Sequence, residues 1–200
     1  NLEAELQSAG LSKSKAKLDT KEPSQEQLII LLEHYQSGRL GDAEKLANAI
    51  TKEFPKHQFG WKVLGAIYQA TDRIKEALIA SQKCVELAPQ DAEAHFNLGV
   101  LLKEQARLEE AEASYAQAIA LKPDYAEAHT NLGNTLKELG RSKEAAETFR
   151  QALELEPNFA EAHFNLGITL KELGRLEEAE ASLRRATILK PDFAKAHDHL

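Results

Sequence analysis

Five prolines, Pro55, Pro89, Pro123, Pro157 and Pro191, follow one another at a constant spacing of 34 residues. A fixed period of this size is the mark of a chain built from stacked copies of one small structural unit, so the period must be read before any local motif. The copies are close in detail. AEAHFNLG runs from Ala92 to Gly99 and again from Ala160 to Gly167, with AEAHTNLG between them from Ala126 to Gly133. Each period holds two helical patterns, for example Glu93 to Gln105 and Leu108 to Leu121. A short polar break such as Leu139-Gly140-Arg141-Ser142 or Leu173-Gly174-Arg175 separates them. Each unit therefore reads as a helical hairpin. Gly140 and Gly174 stand where the first helix must end and reverse, a place that favours left-handed backbone. The proline cannot continue the second helix, and Asp124, Asn158 and Asp192 just after it are expected to cap the next one.

The spaced positions within a period resemble the tetratricopeptide repeat (TPR) family. In the copy starting at Gln58, Trp61, Leu64, Gly65, Tyr68, Ala77 and Pro89 fit its pattern of Trp, Leu-Gly, Tyr, Ala and Pro. Later copies keep Leu98-Gly99, Ala111, Tyr115, Ala118 and Pro123; then Leu132-Gly133, Ala145, Phe149, Ala152 and Pro157; then Leu166-Gly167, Ala179, Leu183, Ala186 and Pro191. The resemblance implies an all-α fold, a right-handed α-solenoid (superhelix) of antiparallel helix pairs. Its expected organisation is an N-terminal helix or linker over 1–23, five repeats at 24–57, 58–91, 92–125, 126–159 and 160–193, and the start of a sixth at 194–200. Gly and Ala are expected where helices cross closely, with Leu, Tyr and Phe filling the space beside the crossing.

The ends depart from the pattern. The first copy keeps Gly38, Ala43 and Pro55 but has Leu31 where the others have Gly. Leu28-Ile29-Ile30-Leu31-Leu32 is apolar all round, so that helix is expected to be covered on both sides. Leu2, Leu6 and Leu11 are suited to a covering helix, and Ser12 to Glu22, with Lys13, Lys15, Lys17 and Lys21, reads as a solvated linker or mobile tail. Ala194-Lys195-Ala196-His197 opens a sixth copy without a polar capping helix. The expectation is a fragment of a longer protein whose open ends associate head to tail.

Composition excludes several roles. Of the 200 residues, 42% are hydrophobic and 28% charged, as in a folded protein, and the net charge of -7 opposes tracking of nucleic-acid phosphates. The longest apolar block is Leu28 to Leu32, too short for a membrane span, so neither nucleic acid nor membrane is an expected partner. The single cysteine, Cys84, cannot form an internal disulfide and occupies the small buried position of Ala118. The compartment is open, with the cytoplasm favoured.

His95, His129, His163 and His197 recur once per copy, but equivalent positions lie about 10 Å apart, against about 2 Å for a zinc bond. They take the place of Trp61 and are read as packing residues; no metal or cofactor is expected. Nor does any phosphate-binding loop, zinc-protease motif or nucleophile elbow occur, so these residues are read as non-catalytic.

Asn97, Asn131 and Asn165 precede the Leu-Gly pair. Leu98 and Leu102 point to the core, and one residue back is about 100° around the helix, at the edge of the apolar stripe and toward the wall formed by the first helices. An amide donates and accepts, so a row of them suits the main chain of an extended peptide. This resembles the asparagine ladder in the TPR superhelix of O-linked N-acetylglucosamine transferases. The same wall is expected to carry Phe96, Val100, Thr130, Asn134, Phe164 and Ile168, together with Glu93, Glu127, Glu161, Lys103, Lys137 and Lys171. Lys62 and Asn97 also fit two positions of a TPR clamp for C-terminal carboxylates, but Ala66, Glu127 and Asn131 stand where that clamp needs Asn, Lys and Arg, and it is rejected. The expected function is a protein-protein interaction scaffold for an extended peptide or partner helix. The alternatives are a substrate-presenting arm of a glycosyltransferase or sulfotransferase, and a self-assembling scaffold.

Overall fold

The computed structural model describes residues 22–199, and the expected N-terminal helix from Leu2 to Leu11 lies outside them, as does nearly all of the linker. The fold is all-α, a solenoid of antiparallel helix pairs, in two compact units that divide after Leu87. The first unit holds α1 (Gln25–Gln36), α2 (Leu40–Glu53), α3 (Gln58–Ala70) and α4 (Ile74–Leu87). The second holds α5 (Ala92–Glu104), α6 (Leu108–Leu121), α7 (Ala126–Glu138), α8 (Ser142–Leu155), α9 (Ala160–Glu172), α10 (Leu176–Leu189) and the short α11 (Ala194–Asp198). Within each unit every helix packs on its neighbours in the chain, which is the nearest-neighbour arrangement of a solenoid.

Local chemistry sets the ends. Helices α2, α4, α6, α8 and α10 each stop two residues before a proline of the periodic set, because the residue ahead of proline is forced out of helical geometry. The capping expectation fails by one position. In α5 the cap is Asp91, two residues after Pro89, whose carboxylate accepts from the Glu93 and Ala94 amides at 3.0 and 3.2 Å. The equivalent residues Tyr125 and Phe159 have no side chain able to cap, and Asn158 instead accepts a hydrogen bond from Arg185 at 2.7 Å. In the first unit Ser24 and Gln27 form a reciprocal capping box at the start of α1.

The hairpin turns share one geometry. Gly38, Gly140 and Gly174 have φ of 74°, 78° and 75°, and Asp72 and Ala106 occupy the same left-handed position at 58° and 55°. The next residue is arginine each time, and its amide reaches back to a carbonyl five residues earlier, as in Arg141 N to Leu136 O at 2.9 Å. A Cβ in this region costs about 1–2 kcal/mol, partly offset by the lower unfolded-state entropy of a non-glycine residue. Ala106→Gly is therefore expected to stabilise the chain by about 0.5–1 kcal/mol and Gly140→Ala to destabilise it by about 1, both measured by urea unfolding.

The first unit's core joins Leu31, Ala47, Ile50, Val63, Leu64 and Ile67; the second has Leu136, Phe149, Leu166 and Leu170 in one buried cluster. Gly99, Gly133 and Gly167 lie against Tyr115, Phe149 and Leu183 of the paired helix: a Cβ added to them would stand 2.7, 2.6 and 2.7 Å from those side chains. In the first copy the sizes are exchanged, with Leu31 in the glycine position and Ala47 in the place of the large residue, both fully buried. The segment expected to cover the second side of α1 lies outside the described residues. Leu31 and Leu32 are buried, whereas Ile29 and Ile30 remain 44% and 37% exposed. Five consecutive apolar residues wrap the whole helix, and the packing among the described residues closes over one side of it.

Candidate functional site

Helices α5, α7 and α9 are in identical register, so Asn97, Asn131 and Asn165 take equivalent places on the three first helices of the second unit. Asn97 is exposed and the other two are half-buried, as are Val100, Asn134 and Ile168 one turn further on. The Asn131 amide donates to the Glu127 carbonyl at 3.1 Å, which leaves its oxygen as an acceptor. Lys62 sits on α3 of the first unit, half-buried.

Thr130 corrects the expected wall. It is buried and its hydroxyl donates to the Ala126 carbonyl at 3.0 Å, so it offers no surface to a ligand. Phe96 and Phe164, in the same register, are too large to be covered in this way and remain half-buried. They are engaged in aromatic packing: Phe96 lies 4.9 Å from the ring of Tyr125 and 5.8 Å from Tyr115, and Phe164 lies 4.8 Å from Phe193. The lysines of the wall are also committed. Lys103 pairs with Glu138 at 3.1 Å and Lys137 with Glu172 at 2.9 Å, tying α5 to α7 and α7 to α9, while Lys171 donates to the His199 carbonyl. Such half-exposed pairs contribute below about 1 kcal/mol each, so their main effect is to hold register and neutralise the wall.

The repeated histidines do one structural job. Nε2 of His95, His129 and His163 lies 3.1, 3.2 and 3.0 Å from the carbonyls of Pro89, Pro123 and Pro157, and Trp61 Nε1 donates to the Pro55 carbonyl at 3.1 Å. A carbonyl only accepts, so each Nε2 carries the proton. Burial pushes the His163 pKa below its ordinary 6.5, against a smaller upward pull from the Pro157 carbonyl. The unfolded chain then binds the proton more readily than the folded one. The stability this ring contributes is complete above 6.5 and is lost as pH falls through 6.5 toward the folded value. His163→Gln, which keeps an N–H donor, is expected to flatten the fall in melting temperature between about pH 7 and pH 5, read as the difference from wild type.

A second periodic row, Arg39, Arg73, Arg107, Arg141 and Arg175, follows the same 34-residue spacing and carries no recognised motif of its own in the sequence. Arg107, Arg141 and Arg175 hold the glutamate three residues on with two guanidinium bonds, for example Arg141 to Glu144 at 2.7 and 2.6 Å. Hydrogen bonding by these arginines keeps the Glu110 and Glu144 carboxyls below their usual range. Glu110, Glu144 and Glu178, in the first turns of their helices, are thus structural partners.

Four family models described as tetratricopeptide or TPR repeats match residues 62–91, 80–113, 102–140 and 130–192, without a gap from 62 to 192. The chain belongs to the tetratricopeptide repeat family. Among solved structures this TPR chain is similar to YrrB, described as a TPR protein with an unusual peptide-binding site, at 21% identity and a TM-score of 0.78, over 90% of this chain and 93% of that one. MamA matches at 24% identity and 0.77, over 83% and 97% of the two chains. A MamA RS-1 double mutant matches at 16% and 0.79, over 90% and 99%. At these identities the likeness establishes the fold. A comparison with curated protein sequences gave no match.

Proposed function

We propose that this TPR chain is a protein-interaction scaffold whose second unit holds an extended peptide along the face of α5, α7 and α9. The observation that carries the reading is the row Asn97, Asn131 and Asn165, in one register, with Val100, Asn134 and Ile168 half-open beside it. Three amides at a helix-pair spacing match a main chain, whose donors and acceptors recur whatever its side chains, while the apolar neighbours gain about 25 cal/mol for each Å² they cover. The peptide-binding site in the description of YrrB, a protein of the same fold, supports this reading.

The test is a crosslinking and mass-spectrometry pulldown with the full chain, comparing wild type with the triple variant Asn97→Ala, Asn131→Ala, Asn165→Ala. Loss of specific crosslinked peptides at an unchanged melting temperature supports the ladder. Identical crosslinks in both proteins return the asparagines to a structural role. A second reading, association between copies, is favoured by Leu176 and Ile188, which stand 64% and 68% exposed on α10. Light scattering decides it: a mass that stays monomeric at high concentration removes it.

A further inference from the structure

The arginine row contains its own template for a carboxylate site. In addition to its bond to Glu144, Arg141 directs Nη1 at Glu112, twenty-nine residues earlier on α6, meeting both oxygens at 2.7 and 2.8 Å. In the first unit Arg73 does the same, with Nη1 on Glu44 at 2.7 Å and Nε on Glu76 at 3.0 Å. The guanidinium therefore spans two carboxylates, one on its own hairpin and one on the preceding hairpin. Arg107 and Arg175 depart from this pattern. Leu78 stands twenty-nine residues before Arg107, and Ala146 stands twenty-nine before Arg175, whose Nε and Nη2 hold Glu178 at 2.6 and 2.7 Å; neither has a carboxylate to give.

At Arg175 the place of the absent carboxylate is a cleft of about 350 Å³ lined by Lys143, Glu144, Ala146, Glu147, Leu173 and Arg175. Its two glutamates are already neutralised, Glu144 by Arg141 and Glu147 by Arg150 at 2.6 Å. Lys143 is exposed and has no ion pair among the described residues. What remains unengaged is cationic: the Nη1 edge of Arg175 and the Lys143 ammonium, with Leu173 as an apolar floor.

We propose that this cleft takes a carboxylate from outside the chain, the Asp or Glu side chain of an acidic segment of a partner protein, seated on Arg175 Nη1 as Glu112 is seated on Arg141. Charge-assisted guanidinium bonds of this kind are among the stronger and more directional polar contacts. The site is separate from the asparagine row and does not depend on that row binding a peptide. The chain's net charge of -7 repels acidic peptides at long range, so binding of one reports a local contact.

The experiment is calorimetric titration of the full chain at low salt with an acetylated hexaglutamate amide, and with the hexaglutamine equivalent. Wild type is expected to bind the first and not the second. Ala146→Glu restores the internal carboxylate found at Glu112, and Arg175→Gln removes the fork; each is expected to weaken binding by about tenfold or more. Gln117→Glu, exposed on α6, adds the same charge as Ala146→Glu outside the cleft and is expected to leave the affinity within about twofold. Absence of binding by wild type, equal loss in Gln117→Glu, or full binding by Arg175→Gln overturns the proposal. Melting temperatures identify a variant that fails to fold, and since Ala146 is buried, Arg175→Gln carries the test if Ala146→Glu does not fold.

Discussion

Gly133→Leu is expected to be among the most destabilising single substitutions in the second unit, and combining it with Phe149→Ala is expected to cost clearly less than the sum of the two single losses. A Cβ on Gly133 meets Phe149 Cε1 at 2.6 Å and Cδ1 at 2.8 Å, and leucine adds three carbons beyond it. The phenyl ring is fully buried, held in a cluster with Leu136, Leu166 and Leu170, and has no open direction in which to turn. Overpacking of this kind costs about 1–3 kcal/mol and more when backbone must move. Phe149→Ala alone leaves a hole and costs about 3–5 kcal/mol. Together the two changes exchange the sizes across the crossing, and the chain already contains that exchange: Leu31 faces the place of Ala47 in α1 and α2, with neither residue exposed. The pair should therefore be coupled by about 1–3 kcal/mol, measured by urea unfolding of wild type, the two single variants and the double. A double variant whose loss equals the sum of the single losses would show that the crossing does not behave as one packed volume.

That exchange also shows which parts of the fold and site were legible in the sequence. Helix ends were, because proline and a left-handed glycine act through their own backbone, and the period repeats the signal. Leu31 was legible only as a departure. Its compensation by Ala47 belongs to a contact between helices, and no local pattern states it. Asp124 and Asn158 are good capping residues by type, but the geometry after proline puts the cap one residue later, at Tyr125 and Phe159. In the site, periodicity placed Asn97, Asn131 and Asn165 in one register but could not separate Thr130 from Phe96 and Phe164. Side-chain size decides which is covered: the threonine sinks into the packing and satisfies its hydroxyl on its own helix. The arginine row itself follows the 34-residue period, but the partners of Arg73 and Arg141 on the preceding hairpin lie twenty-nine residues earlier, a distance set by how hairpins stack.

Leu31→Ala is expected to cost about 2–5 kcal/mol, toward the upper end, and to do so in the first unit alone. The leucine is fully buried among Val63, Leu64 and Ile67, and its opposite number Ala47 is already too small to fill the space left behind. In a chain of nearest-neighbour contacts such damage stays near its origin, so a single unfolding transition need not survive it. The one tryptophan supplies a local probe: Trp61 lies on α3, packs against the same cluster and donates to the Pro55 carbonyl. Its fluorescence transition in Leu31→Ala should move to clearly lower urea, while helical ellipticity loses only the first unit's share at that point and the remainder near the wild-type midpoint. Gly133→Leu should do the reverse, shifting ellipticity early and leaving the Trp61 midpoint nearly unchanged. Coincident fluorescence and ellipticity curves in both variants would mean that the chain unfolds as one cooperative body, and that burial at Leu31 stabilises residues far outside its own cluster.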